Sequence, residues 1–314
     1  GGPVYTTAVQ IDDEVEAEID RLSELAPLHN PPGVAGIRAA RAALPEVPHV
    51  AVFDTAFHAT LPPDAYTYAI ERGVAQRYGV RRYGFHGTSY RYVSRRAAEV
   101  LGRPLESLRM IVLHLGNGAS AAAIDGGRSV DTSMGLTPLE GLVMGTRSGD
   151  VDPALLMHLH RVGGFDVQQL DDLLNRRSGL LGLGGHGDMR DLLAAAGAGD
   201  ADAALAIEVY VHRLRRYIGA YAAELGGLDA LVFTAGVGEN SAVIRARAVE
   251  RLGFLGISVD PARNEAPPGD ARIISPDGAP VAVLVVPTDE EQQIADEVAV
   301  VVRADLRRDR LGLG

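Results

Sequence analysis

The sequence predicts an α/β protein, and three widely separated stretches carry that prediction. Each is an apolar strand that runs into a turn or a helix start rich in small or polar residues: Ile-Val-Leu-His-Leu-Gly-Asn-Gly-Ala-Ser at 111–120, Leu-Val-Phe-Thr-Ala-Gly-Val-Gly-Glu-Asn at 231–240, and Val-Ala-Val-Leu-Val-Val-Pro-Thr-Asp-Glu-Glu at 281–291. Short continuous apolar runs suit strands buried on both faces. In open α/β sheets ligands gather outside the carboxyl ends of such strands. Gly116 and Gly118 flank Asn117 and remove the β-carbons that would hold an anion away from exposed backbone N–H groups. A plain Asn-Gly hairpin accounts for the same residues.

In chain order, residues 12–26 place Val15, Ile19, Leu22 and Ala26 on one helical face behind an acidic first turn, and Pro27 stops the helix. The loop 28–33 is stiffened by Pro31 and Pro32, and a second helix follows with Val34, Ile37 and Leu44 as anchors. The run 50–53 reads as a buried strand with Asp54 at its carboxyl end, where a ligand-facing carboxylate and a turn-forming Asp are both expected. His86 stands between Phe85 and Gly87 in the approach to a helix capped by Thr88 or Ser89 and striped by Tyr90, Val93, Ala97 and Leu101; Gly102 and Pro104 end it. A histidine that only filled a core would sit on the stripe, so His86 is a candidate site residue. The other eight histidines show no metal-ligand spacing.

After the 111–124 hairpin, Asp125-Gly126-Gly127 turns the chain again and 130–133 reads as a third antiparallel strand. The segment 134–153 is glycine-rich and suits a loop lining a site, with Arg147 between Gly145 and Gly149. A guanidinium matches carboxylate or phosphoryl oxygens. Asp152 and Pro153 announce the next helix. Short helices are expected at 166–175 and 189–196, then a longer one striped by Val211, Leu214, Ile218, Tyr221 and Leu225. The Gly236-Val237-Gly238 turn precedes a helix capped by Asn240 or Ser241; it lacks the third glycine of the dinucleotide fingerprint. Thr288 and Glu291 have the spacing of a capping box, which leaves Glu290 without a structural role and open to hold Mg²⁺ directly or through water.

Acidic residues (41) outnumber basic ones (30), and a formal charge of −11 argues against nucleic-acid or anionic-membrane partners. The chain has no cysteine, which removes disulfides, thiolate metal sites and a cysteine nucleophile and suits a reducing cytoplasm. No run is long and apolar enough for a membrane span. The start at Gly1-Gly2-Pro3, without an initiator Met, reads as a fragment or a processed chain.

With these motifs in place, the chain resembles acetate kinases, of the actin-like ATPase superfamily. The matching stretches are 53–58, 83–89, 114–118, 135–153, 188–191, 236–240 and 288–291, in family order over nearly the whole length. The resemblance implies Mg²⁺-dependent (or Mn²⁺-dependent) reversible phosphoryl transfer between ATP and acetate, giving ADP and acetyl phosphate. By position it implies Asp54, His86 and Arg147 as catalytic residues and Glu290 as metal ligand. It places His114, Leu115, Gly116, Asn117, Gly118, Asp188, Met189, Arg190, Gly236, Val237, Gly238, Glu239 and Asn240 at the nucleotide. Leu28, Phe85 and Pro138, with Arg147, line the acetate pocket. Departures are Tyr90 where a histidine is usual, Asp289 where an asparagine is common, and the family's N-terminal phosphate-binding strand and turn, which would precede Gly1.

The resemblance also implies two ribonuclease-H-like domains around a cleft, the first incomplete: residues 1–56 with 292–314, and residues 57–291. A cytoplasmic homodimer follows from it as well. Two competing readings are a propionate or butyrate kinase, since one methylene in an apolar pocket discriminates only about 1–3 kcal/mol, and a non-catalytic nucleotide-binding or dimerising module.

Overall fold

A computed structural model describes residues 1–24 and 30–310. The chain opens with β1 (Val9–Gln10) and α1 (Asp13–Arg21), where Asp12 caps the helix by accepting the Val15 N–H at 2.8 Å. The predicted stop at Ala26 and Pro27 lies outside the described residues. Helix α2 (Asn30–Ala43) begins earlier than its apolar anchors suggest, because Pro31 and Pro32 sit in the first turn, where a missing N–H costs nothing. β2 (Val50–Ala51) pairs antiparallel with β1, and Ile11, Ile19, Val34, Ala51, Phe53 and Ala56 form a small core beside them.

The larger sheet holds the site. Its strands are β3 (Arg109–Leu115), β4 (Ala119–Asp125), β5 (Arg128–Thr132), β6 (Ala230–Thr234), β7 (Arg272–Ile273) and β8 (Ala282–Val285), in the spatial order β5-β4-β3-β6-β8-β7. β3, β6 and β8 run parallel as neighbours, while β4 and β5 return antiparallel. The three junctions read from sequence therefore leave the sheet side by side at one edge.

Alternation along each strand divides the core in two. Ile111, Leu113, Leu231, Phe233, Val283 and Val285 face one layer; Met110, Val112, Ala230, Val232, Leu284 and Val286 face the other. Helix α3 (Gly87–Leu101) covers the second face with Tyr90, Val93 and Ala97. Beyond the hairpins come α4 (Pro153–Gly163), α5 (Val167–Arg176), α6 (Met189–Gly197) and α7 (Ala201–Glu224), and α7 covers the first face with Ile207, Val211, Leu214 and Ile218. Each large apolar side chain so buried contributes about 1.5–3 kcal/mol of transfer free energy. This double-faced core, not the two-residue β1–β2 pair, gives the strand ends a rigid base.

Three local expectations need correction. Neither Thr88 nor Ser89 caps α3; His86 occupies the cap position in the left-handed region (φ 58°) without a side-chain cap bond, and Asp54 serves that helix end from across the chain. The Gly236 turn is itself a short helix, α8 (Ala235–Asn240), followed by α9 (Ala242–Val249), which Ser241 caps. The final helix, α10 (Glu290–Arg310), is capped by Asp289, whose carboxylate accepts the Gln292 N–H at 2.9 Å, not by a Thr288–Glu291 box. Thr288 is instead bound to Ser89, Oγ1 to Oγ at 2.8 Å. α10 packs along α3 and touches β1 and β2.

Candidate active site

Asp54 lies just past β2 and reaches the amino end of α3. Its Oδ2 accepts the His86 N–H at 2.6 Å and its backbone carbonyl accepts the Gly87 N–H at 2.8 Å. A carboxylate at this end of a helix is favoured by the free N–H groups and the helix dipole. Gly87 is required there, since a Cβ would stand 2.2 Å from the Asp54 carbonyl oxygen. The same contacts hold His86 in its strained left-handed conformation.

The His86 ring stacks on that of His114, centroids 4.1 Å apart and planes 17° from parallel, and its Nδ1 pairs with Ser120 Oγ at 2.8 Å. His114 points from the end of β3 and pairs through Nδ1 with Ser89 Oγ at 2.9 Å. Burial, and then the neighbouring His86, push its pKa down to about 3, so it is neutral. Two stacked rings that were both charged would repel at close range.

Arg147 approaches from the 134–153 loop. Its Nη1 donates to the Pro138 carbonyl at 3.1 Å, and burial lowers the guanidinium's pKa. The key relation is at Gly118: the position of an added Cβ lies 3.4 Å from Arg147 Nη1 and 3.6 Å from His86 Nε2. A cation and an imidazole thus converge on one glycine of the β3–β4 turn. Asn117 is seated against Gly145, whose N–H donates to the Asn117 carbonyl at 3.0 Å. A Cβ on Gly145 would fall 2.3 Å from Asn117 Oδ1. The loop carrying Arg147 is fixed by Asp150, which accepts the Gly141 N–H at 2.8 Å and the Tyr217 hydroxyl at 2.9 Å.

The other predicted residues divide by what they touch. Leu115 and Met189 are buried in the core. Asp188 caps α6 through the Arg190 N–H at 2.8 Å and pairs with the Arg190 guanidinium at 2.6 Å on the surface. Glu239 is a latch: Oε1 accepts the Ala235 N–H at 2.8 Å and the Thr288 N–H at 3.1 Å, tying the second junction to the third. Asn240 donates to the Gly236 carbonyl at 2.8 Å. Gly236 has open space where a Cβ would be, while Gly238 packs against Phe233. Phe85 lines a cavity of about 380 Å³ with Phe53, Asp54, Tyr83 and Leu136; Pro138 contributes through its carbonyl to Arg147. Leu28 lies outside the described residues.

Sequence reasoning missed Ser89, Ser120 and Arg245. Arg245 is fully buried in α9, donating to the carbonyls of Gly238, Glu239 and Asn264 and to Asn264 Oδ1, and burial drags its pKa down to about 10. An arginine beside Ile244 and Ala248 on the inward face of a helix was the available signal.

Among the described residues no three acidic, histidine or cysteine side chains gather into a metal cage. Burial, then the charge of Asp54, raises the Glu290 pKa. A divalent ion held by one or two carboxylates keeps water and phosphate oxygens for its remaining positions.

The fold is that of the actin-like ATPase class. The profile of the acetokinase family matches residues 1–296, and the chain belongs to that family. An acetate kinase of Leifsonia xyli subsp. xyli is 64% identical over 304 residues, covering 97% of this chain and 77% of that protein. The crystal structure of Porphyromonas gingivalis acetate kinase superimposes with a TM-score of 0.93 at 46% identity, covering 96% of this chain and 76% of that one. A propionate kinase from Francisella tularensis does so with 0.90 at 43% identity, covering 95% and 76%.

Proposed function

We propose that this chain transfers the γ-phosphoryl group of ATP reversibly to acetate, giving acetyl phosphate and ADP. The observation that carries the reading is the approach of Arg147 Nη1 and His86 Nε2 to the single position at Gly118. Phosphoryl transfer asks mainly for positioning and for positive charge around the equatorial oxygens. In the forward direction an acetate oxygen forms a bond to phosphorus as the bond to the β–γ bridging oxygen breaks, and ADP leaves. Arg147 pairs with the acetate carboxylate and the transferring group, and His86 donates to it. Asp54 orients the acceptor and, with Glu290, would hold a divalent ion. When bound, Mg²⁺ or Mn²⁺ would neutralise charge on the phosphate oxygens. Residues 114–118, 188–190 and 236–240 hold the nucleotide, and the cavity beside Phe85 takes the methyl group.

The similarity to a propionate kinase favours one second reading, a broader short-chain acyl kinase. A hydroxamate assay comparing kcat/KM for acetate, propionate and butyrate decides between them. Acyl phosphate formed fastest from acetate supports the first reading; none formed from any acid removes both.

Residues 1–56 with 292–314, and residues 57–291, are proposed as the two domains, with a homodimer formed through the second and a cytoplasmic location. Supporting the dimer, α4 buries none of its residues and presents Met157 at 61% and Val162 at 74% exposure, a cost in water unless covered. No helix among the described residues is long and apolar enough to cross a membrane. Met157→Glu with Val162→Lys should halve the mass seen by sedimentation; an unchanged mass would place any interface elsewhere.

A further inference from the structure

Tyr90 is fully buried on α3, and among the described residues its hydroxyl has one hydrogen-bond partner, Ser120 Oγ at 2.5 Å. Ser120, equally buried on β4, has His86 Nδ1 as its other partner at 2.8 Å. A serine hydroxyl carries a single proton, and among the described residues Ser120 Oγ has no third partner, so an order in which both neighbours donate to it would leave that proton without an acceptor. If the phenol donates to Ser120, Ser120 donates onward and Nδ1 is the bare, accepting nitrogen. In the reverse order, Nδ1–H to Ser120 to Tyr90, the phenol proton points into a dry core without an acceptor.

We propose that Tyr90 and Ser120 are positioning residues that hold His86 as the neutral tautomer protonated on Nε2. The nitrogen facing Gly118 and Arg147 then presents an N–H donor. Around the ring, Asp54 accepts the His86 backbone N–H, Arg147 is aimed at the same glycine, and His114 is stacked on the imidazole. The consequence for catalysis rests on the phosphoryl-transfer reading above: His86 would donate to the transferring group through its Nε2–H. The tautomer itself is independent of that reading.

The test is ¹⁵N-histidine NMR on the ligand-free protein, with the His86 signals assigned by their loss in His86→Asn. Near pH 8 the wild-type ring should be protonated on Nε2 and bare on Nδ1. In Tyr90→Phe the chain loses its obligatory donor, and a share of the ring should move to the Nδ1–H tautomer. In Ser120→Ala the Nδ1–H tautomer should appear. A wild-type ring protonated on Nδ1 at pH 8, or a tautomer unchanged in a folded Tyr90→Phe protein, overturns the proposal; if that variant does not fold, the wild-type spectrum and Ser120→Ala decide alone. Acyl phosphate formation measured on the same wild-type sample separates the two claims: its absence beside the expected tautomer counts against the reaction and not against the tautomer.

Discussion

Arg147 shows how one side chain can be the centre of a site while its sequence neighbourhood only hints at it. Its guanidinium is partly stripped of water and tied through Nη1 to the Pro138 carbonyl and the Met144 sulfur, so donors remain for a ligand. Removing a clamp of this type from a water-excluded site costs about 3 kcal/mol in the barrier, so Arg147→Ala should slow turnover on the order of a hundredfold or more. Normal kcat in that variant would take Arg147 out of the mechanism. The glycines, histidines and the arginine between glycines were legible as candidates because residue type and local sequence mark them. The partners that orient them were not: Ser120 reaches His86 from 34 positions away, and Ser89 reaches Thr288 from 199.

At the scale of elements, the active site is a set of junctions locked to one another. Asp54 fixes the start of α3, Glu239 bridges the ends of β6 and β8, and Arg245 holds the carbonyl end of α8 from beneath. Gly87→Ala tests the first lock. Its Cβ would meet backbone, the Asp54 carbonyl at 2.2 Å, and backbone cannot rotate aside as a side-chain tip can. Separating the strand end from the helix should destabilise the protein by about 1–3 kcal/mol. Because the shift passes directly to Asp54 and His86, kcat should drop at least tenfold even in the folded fraction. Urea denaturation together with kcat per folded molecule measures both; full activity would show that the junction has slack. Local signals found the elements but misjudged their ends. Thr88, Ser89 and Thr288 are good caps by type, yet each end was taken by a residue better placed in space.

Over the whole molecule, buried histidines couple stability to pH. Burial pushes His58 down to about 4, where it bridges Ser129 Oγ and the Phe85 carbonyl, and His114 down to about 3. Unfolded, both would titrate near 6.5. Below that pH the unfolded chain binds protons that the folded one refuses, so stability is complete above about pH 7 and falls as pH drops towards about 4, where His58 first charges in the folded state. At pH 5 the loss should be on the order of 2 kcal/mol per histidine, and calorimetry at pH 7.5 and 5 should show a lower Tm at 5. His58→Gln should remove part of that difference; an equal Tm at both pH values would mean that the folded state admits the protons. By itself the sequence determined the α/β class, the three strand-to-turn junctions and the residue types that can meet a polyanion, because apolar period, glycine placement and capping chemistry are local properties. Only the tertiary structure decided which of those residues meet. The order β4-β3-β6-β8 sets separate chain segments edge to edge, and a hydrogen bond between segments depends on that order rather than on any pattern within a segment.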